Sequence, residues 1–115
     1  MSKKYLRKNE FRFDNNPEHF GESGEPHPAY ITARYGHKYK ANGITHSRKT
    51  TQGEDTYWIP ENPNKKKGKT DKRKVRITQP YWQKDILFSD EILDNYSFSK
   101  KTRAIIKKYN KKFKQ

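Results

Sequence analysis

The aromatic residues of this chain make a small core possible without much aliphatic content. Hydrophobic residues make up only 29% of the sequence, a share that alone would suggest disorder, but 14% of the residues are Phe, Tyr or Trp. Each aromatic side chain buries a large area, so a few of them can close a small core. Since 115 residues suffice for one domain, we expect a single folded centre with loose basic ends.

Alternating apolar and polar residues predict short strands along the middle of the chain. These strands are expected at 27–34, 39–47, 56–59 and 75–81. Asn42-Gly43 lies inside the second strand, where this pair can form a tight hairpin turn or a bulge. Pro80 implies that the last strand ends there or lies at a sheet edge.

Two segments near the C-terminus carry helical signals. Ser89-Asp90-Glu91 can cap a short helical turn, and Ser99 is a candidate N-cap for a longer terminal helix. Along that helix, apolar residues recur at helical spacing on one side, and Lys and Arg occupy the opposite side. The apolar stripe consists of Ile105, Ile106, Tyr109 and Phe113.

This order of elements predicts a mainly-β fold, namely a small β-barrel followed by a C-terminal helix. We assign residues 26–115 to a single barrel domain with its basic helix. Residues 1–25 are assigned to a flexible basic N-terminal arm, in which Phe11 and Phe13 could form a short strand or dock on the core.

The excess of positive charge predicts a polyanionic partner. The chain has 27 Lys and Arg against 13 Asp and Glu, a formal net charge of +14, and self-repulsion of this size favours a partner that supplies the counter-charge. Nucleic acid, and single-stranded RNA in particular, is the expected partner, although the charge could instead only keep the protein soluble. The candidate nucleic-acid-binding residues are Arg34, Lys65, Lys66, Lys67, Lys69, Lys72, Arg73 and Lys74.

The composition also excludes several classes of protein. The absence of cysteine excludes disulfide bonds and thiolate metal sites. No apolar segment reaches the length of a membrane span or of a signal-peptide core, so we expect a cytoplasmic protein without a membrane partner. The four His and the scattered Asp and Glu do not form a pattern typical of a metal site, and no cofactor is expected.

Several short motifs follow one another in an order found in a known family. His27-Pro28-Ala29-Tyr30-Ile31 and Ile44-Thr45-His46-Ser47 are followed by the strand at 75–81 and the region 88–113. In this order they resemble the R-P-(A/V)-V-V strand, the I-T-(A/S) strand and the C-terminal elements of the MazF/PemK-type toxins, over about residues 26–113. The resemblance implies an SH3-like barrel with metal-independent endoribonuclease activity, an acidic antitoxin protein as partner in a toxin–antitoxin system, and a homodimer.

Metal-free RNA cleavage needs a base, an acid and a cation beside the phosphate, and His suits the first two roles because its ordinary pKa is near neutrality. His27 stands where the family has an arginine that is implicated in catalysis, and Thr45 matches the family's threonine. We expect His27 to act as base or acid and Thr45 to orient the phosphate, with His46 or Arg76 as the partner. The candidate catalytic residues are therefore His27, Thr45, His46 and Arg76.

Structural interpretations of the histidines remain open. His27 could instead only hydrogen-bond a loop, and alternation places His46 on the strand face opposite Thr45. His19 and His37 lie in predicted loops with no carboxylate at metal-ligand spacing, and they are interpreted as surface residues.

Other functions also remain open. The protein could be a nucleic-acid-binding barrel without catalysis, or a structural, ribosome-associated basic protein. The alternation around Trp58 favours exposure and burial of its side chain equally. An exposed Trp58 could offer a stacking platform for an unpaired base.

Overall fold

The computed structural model describes residues 9–21, 24–66 and 74–113. These residues form an antiparallel sheet, one α-helix and two 3₁₀ turns, Pro17–His19 and Asp85–Leu87. The strands are β1 (Phe11–Asp14), β2 (His27–Tyr35), β3 (Lys38–Thr45), β4 (Tyr57–Ile59), β5 (Val75–Ile77) and β6 (Tyr81–Lys84), and the helix is α1 (Lys100–Asn110).

The strands of the described residues form one sheet in the order β1-β2-β3-β5-β4, with β6 paired to the first half of β3. After β6 the chain runs beside β1, where the Asn15 N–H donates to Leu87 O (2.8 Å) and the Ser89 N–H donates to Phe13 O (2.9 Å). These contacts do not close the sheet into a barrel. The prediction of a mainly-β fold with a C-terminal helix is confirmed.

Asn42-Gly43 forms neither a hairpin turn nor a bulge but continues β3. Asn42 lies opposite Tyr30 and Gly43 opposite Ala29, so both residues are paired within the ladder. Thr78 packs closely against Gly43, where an added Cβ would lie 3.1 Å from Thr78 Cγ2. The glycine therefore permits a close approach of the chain rather than a turn.

The single strand predicted at 75–81 is divided into β5 and β6 by residues 78–80. Pro80 has no N–H with which to continue a ladder, and the chain changes partners at this point. β5 pairs with β4 and the end of β3, whereas β6 pairs with the start of β3. The helical turn predicted at residues 89–91 is also not formed, because this segment hydrogen-bonds to β1 through Ser89.

The apolar side chains pack in two clusters. Tyr30 belongs to the larger cluster and its neighbours Ala29 and Ile31 to the smaller one, as alternation along a strand requires. Tyr39, Ala41 and Phe88 complete the smaller cluster. The larger cluster, between the sheet and α1, also contains Phe11, Ile44, Ile59, Val75, Ile77, Leu93, Phe98, Ile106 and Tyr109.

The terminal helix α1 begins at the predicted N-cap, where Ser99 Oγ accepts the Thr102 N–H (3.2 Å). Ile106 lies fully within the larger cluster. At the other end of the helix, Asn110 and the fully buried Asn42 exchange two side-chain hydrogen bonds of 2.9 Å each. This reciprocal pair fixes α1 over the middle of β3.

Residues 9–21 are part of the folded structure, which differs from the prediction of a flexible arm over 1–25. β1 pairs with β2, and Phe11 is only 1% exposed within the larger cluster. Arg12 is buried as well and donates hydrogen bonds of 2.9 Å to the carbonyl oxygens of Ser89 and Asp90. Sequence patterning underestimated this strand because it is short and buries an arginine beside its apolar residues.

Candidate active site

A pocket of about 360 Å³ lies where β2 begins and β3 ends. His27, the first residue of β2, and Thr45, the last residue of β3, both line it. Gly43 also lines the pocket and adds no side chain to fill it. Antiparallel pairing thus brings two of the candidate catalytic residues into one cavity.

The strand β1 adds a carboxylate to this pocket. Asp14 lies directly opposite His27 in the β1–β2 register, and opposed residues of antiparallel strands project from the same face. Asp14 is 2% exposed. His19, in the 3₁₀ turn that follows β1, lines the same pocket as Asp14 and His27.

Four hydrogen bonds satisfy the Asp14 carboxylate, two on each oxygen. Oδ2 accepts from His19 Nδ1 (2.6 Å) and from the Tyr81 hydroxyl (2.6 Å). Oδ1 accepts from the Asn16 N–H (2.9 Å) and from Gln83 Nε2 (2.9 Å). Because the carboxylate receives the Nδ1 proton of His19, Nε2 is the ring nitrogen left to meet a ligand in the pocket.

This network moves the pKa of each ionisable group in it. Burial by itself raises the pKa of Asp14, but the hydrogen bonds from His19, Tyr81, Gln83 and Asn16 outweigh it and hold the pKa below its ordinary value. The hydrogen bond to Asp14 raises the pKa of His19, against the opposing effect of burial. Burial and the Asp14 charge raise the pKa of Tyr81 well above its ordinary value. The pocket therefore holds a carboxylate whose pKa is lowered beside an imidazole whose pKa is raised.

The segment between β3 and β4 forms another wall of the pocket. Thr51 Oγ1 and Gln52 Nε2 both donate to Glu18 O, at 2.7 and 2.6 Å. This fastens the segment to the 3₁₀ turn that carries His19. Lys49 also lines the pocket, and its exposed ammonium lies 3.5 Å from Asp55 Oδ1.

The other two candidate catalytic residues do not line this pocket. His46 is exposed, and its Nδ1 donates to Lys74 O (2.9 Å). Arg76 lies opposite Thr45 in the β3–β5 register, but its Nε and Nη2 donate to Thr56 Oγ1 and Thr56 O at 2.8 and 2.6 Å. The structure thus places Arg76 next to a pocket residue while the guanidinium binds a neighbouring strand.

Four of the candidate nucleic-acid-binding residues lie within the described residues, and all four are exposed. Arg34 is exposed at the far end of β2, about 23 Å along the strand from His27. Lys65 Nζ forms an ion pair of 2.6 Å with Glu61, and Lys66 and Lys74 are exposed. The remaining candidates lie outside the described residues: Lys67, Lys69, Lys72 and Arg73.

Asp14, His19 and Lys49 line the pocket but were not among the predicted site residues. His19 is not a plain surface residue, because its side chain is 30% exposed and is bound to Asp14. The sequence feature that could have indicated the contact between His19 and Asp14 is the turn motif Asn15-Asn16-Pro17. This turn folds His19 back onto the strand that carries Asp14.

Neither the described residues outside the pocket nor the comparisons with known proteins give independent evidence of function. Within residues 9–21, 24–66 and 74–113, no group of three or more His, Asp or Glu side chains is placed to hold a metal ion. In the same ranges, no helix is both long enough and apolar enough to cross a membrane. No protein-family model, curated protein or solved structure matches the chain.

Proposed function

We propose that the protein is a metal-independent endoribonuclease that binds single-stranded RNA in the pocket between the ends of β2 and β3. The observation that carries this proposal is that His27 and the Asp14-bound His19 line one cavity. Two imidazoles on one cavity can supply the base and the acid that RNA cleavage without a metal requires. Thr45 and Lys49 add a hydroxyl and an ammonium group for the phosphate.

In the proposed reaction, the 2′-hydroxyl of the RNA attacks the adjacent phosphorus while His27 takes its proton. The P–O2′ bond forms as the P–O5′ bond breaks, and protonated His19 gives its Nε2 proton to the departing 5′ oxygen. The products are a 2′,3′-cyclic phosphate and a free 5′-hydroxyl. His19 is assigned as the acid because its hydrogen bond to Asp14 raises its pKa and so keeps it protonated to higher pH.

Two other side chains of the pocket suit the phosphate. Thr45 Oγ1 accepts the Ser47 N–H (3.1 Å), which leaves the Thr45 O–H to donate to a phosphate oxygen. The Lys49 ammonium is exposed and paired with Asp55 at 3.5 Å, a contact weak enough in water to be exchanged for the phosphorane, whose extra negative charge develops during the attack.

The wider parts of the proposal depend on the resemblance to MazF/PemK-type toxins. They are an SH3-like barrel, a cytoplasmic toxin, an acidic antitoxin protein and a homodimer. The hydrogen bonds between β1 and the chain after β6 support the barrel, because they bring β1 next to the segment that follows the strand on the other side of β3. The net charge of +14 supports an acidic protein partner.

A second candidate function is nucleic-acid binding without catalysis. It is favoured by the exposed lysines of α1 and its C-terminal end, none of which lines the pocket. A basic face of this kind contacts phosphates irrespective of sequence, with an affinity that falls steeply as salt is added. These lysines are Lys100, Lys101, Lys107, Lys108, Lys111 and Lys112.

Incubation of the protein with a long labelled single-stranded RNA in EDTA separates the two candidates. We expect discrete fragments that end in a 2′,3′-cyclic phosphate, and a rate lower by about 100-fold or more in His27→Ala, because proton transfer by a positioned side chain contributes that much. His37→Ala is the matched control, since His37 is an exposed histidine whose side chain lies outside the pocket.

Intact RNA that is shifted on a native gel and released by salt would replace the endoribonuclease with the second candidate. RNA that is neither cut nor bound would overturn both. Cleavage that His27→Ala retains in full would place the reaction elsewhere on the molecule.

A further inference from the structure

Three side chains on one face of the sheet form a row that leads away from the pocket. Thr45 lies opposite Arg76 in the β3–β5 register, and Arg76 lies opposite Trp58 in the β4–β5 register. Opposed residues project from the same face, so this outer row of Thr45, Arg76 and Trp58 spans two strand spacings, about 10 Å. One end of the outer row lines the pocket, and the other end is an indole.

Trp58 is half exposed although it is one of the largest apolar side chains of the chain. It is 48% exposed and lies in β4, the edge strand of the sheet. The strand is anchored without it, because Ile59 is 1% exposed in the larger cluster and Tyr57 stacks on Tyr109 with ring centroids 4.3 Å apart. Trp58 is therefore not needed for the core, and it presents an aromatic face on a strand that other residues fix in place.

Arg76 holds a positive charge in the middle of the outer row. Its Nε and Nη2 donate to Thr56, which is itself only 6% exposed, so the guanidinium has a fixed position. An exposed lysine lies close by along the chain, since Lys74 directly precedes β5 and is two positions from Arg76. The surface around Trp58 is thus aromatic and cationic at once.

We propose that Trp58 is a stacking platform for an unpaired base of an RNA strand whose neighbouring phosphate lies in the pocket at Thr45. This inference rests on the proposed function and adds a second subsite to the same RNA-binding surface. Indole stacks on the face of any base, so the subsite selects an unpaired strand rather than a particular sequence. Arg76 lies between the two positions and supplies a positive charge for the RNA backbone that joins them.

Nucleic acid is the occupant that the charges favour. A net charge of +14 attracts a polyanion, and the guanidinium held in the outer row can bind a phosphate, which an apolar protein partner does not offer. The outer row is also continuous with the pocket through Thr45, so one strand can occupy both.

The test measures the affinity of the protein for two uncleavable probes with the same number of phosphates. One is a short 2′-O-methyl oligouridine, and the other is the same backbone without bases. The wild type is expected to bind the oligouridine about tenfold more tightly, because stacking on an aromatic side chain contributes at this level per base. Trp58→Ala should remove that preference, and Trp58→Phe should keep most of it.

Two controls make the result specific to Trp58. Tyr35→Ala removes another exposed aromatic side chain, 81% exposed at the far end of β2, and should leave the preference unchanged. The ratio of the affinities of the wild type and Trp58→Ala for the oligouridine should also stay constant as salt is raised, because stacking releases no counterions.

Equal binding of both probes by the wild type would overturn the stacking subsite without the use of any variant. A preference that survives in a folded Trp58→Ala protein would overturn it too, and in both cases the proposed function would stand. A wild type that binds neither probe and cuts no RNA would overturn the proposed function together with the subsite.

Discussion

The β2–β3 ladder has a histidine near an aspartate at each of its two ends. At the pocket end, His19 Nδ1 lies 2.6 Å from Asp14 Oδ2, and the Asp14 side chain is 3% exposed. At the turn end, His37 Nδ1 lies 3.7 Å from Asp85 Oδ2, and the His37 side chain is 94% exposed. The same two residue types form a buried hydrogen-bonded pair at one end and a loose surface contact at the other.

The difference arises from what surrounds each carboxylate. Asp14 lies within the sheet, where Tyr81 and Gln83 of β6 bind its oxygens, whereas Asp85 opens a 3₁₀ turn and is 30% exposed. A buried carboxylate keeps its charge only when its lone pairs are satisfied, and an exposed ion pair in water contributes little. A histidine and an aspartate thus form a pair of fixed geometry only where neighbouring side chains also hold the carboxylate.

Replacement of each histidine by glutamine separates the two ends most strongly. His19→Gln is expected to lower kcat for RNA cleavage by about 100-fold or more, because it removes the acid. His37→Gln should leave kcat unchanged, since that side chain is 94% exposed and lies outside the pocket. Initial rates on labelled RNA measure both effects. Equal losses in the two variants, or a loss in His37→Gln alone, would show that the pocket end is not where the reaction occurs.

Replacement of each aspartate by asparagine compares the stability of the two ends. Asp14→Asn should lower the free energy of unfolding by about 3 kcal/mol, because an amide cannot accept all four hydrogen bonds and leaves buried donors unsatisfied. Asp85→Asn should change it by less than about 0.5 kcal/mol. Urea unfolding at pH 7 measures both values. A cost of similar size in the two variants would mean that the Asp14 network does not stabilise the fold as described.

Periodicity was sufficient to predict those elements in which apolar residues recur at strand or helix spacing. β2 alternates between the two clusters, and α1 begins at Ser99 and buries Ile106, as expected. The division at residues 78–80 and the strand β1 could not be predicted in this way. They depend on which strands lie next to each other, and local alternation carries no information on that.

The site was predictable only where its residues share one strand pair. Thr45 and His46 are adjacent in sequence, but consecutive strand residues face opposite sides, and only Thr45 lines the pocket. The role of Asp14 depends on Tyr81 and Gln83, which lie 67 and 69 residues further along the chain. A single sequence gives no reason to connect residues at that separation, so the carboxylate network emerges only from the folded structure.

The pH dependence of RNA cleavage tests most directly the central claim, that the Asp14-bound His19 is the acid of an RNA-cleaving pocket. An acid acts only while it is protonated, so kcat should fall as the pH rises through the His19 pKa, which the hydrogen bond to Asp14 places above the ordinary value of 6.5. In Asp14→Asn the partner loses its charge, and this alkaline limb should move to lower pH. An alkaline limb that stays in place in Asp14→Asn, or that moves in Asp85→Asn instead, would contradict the account.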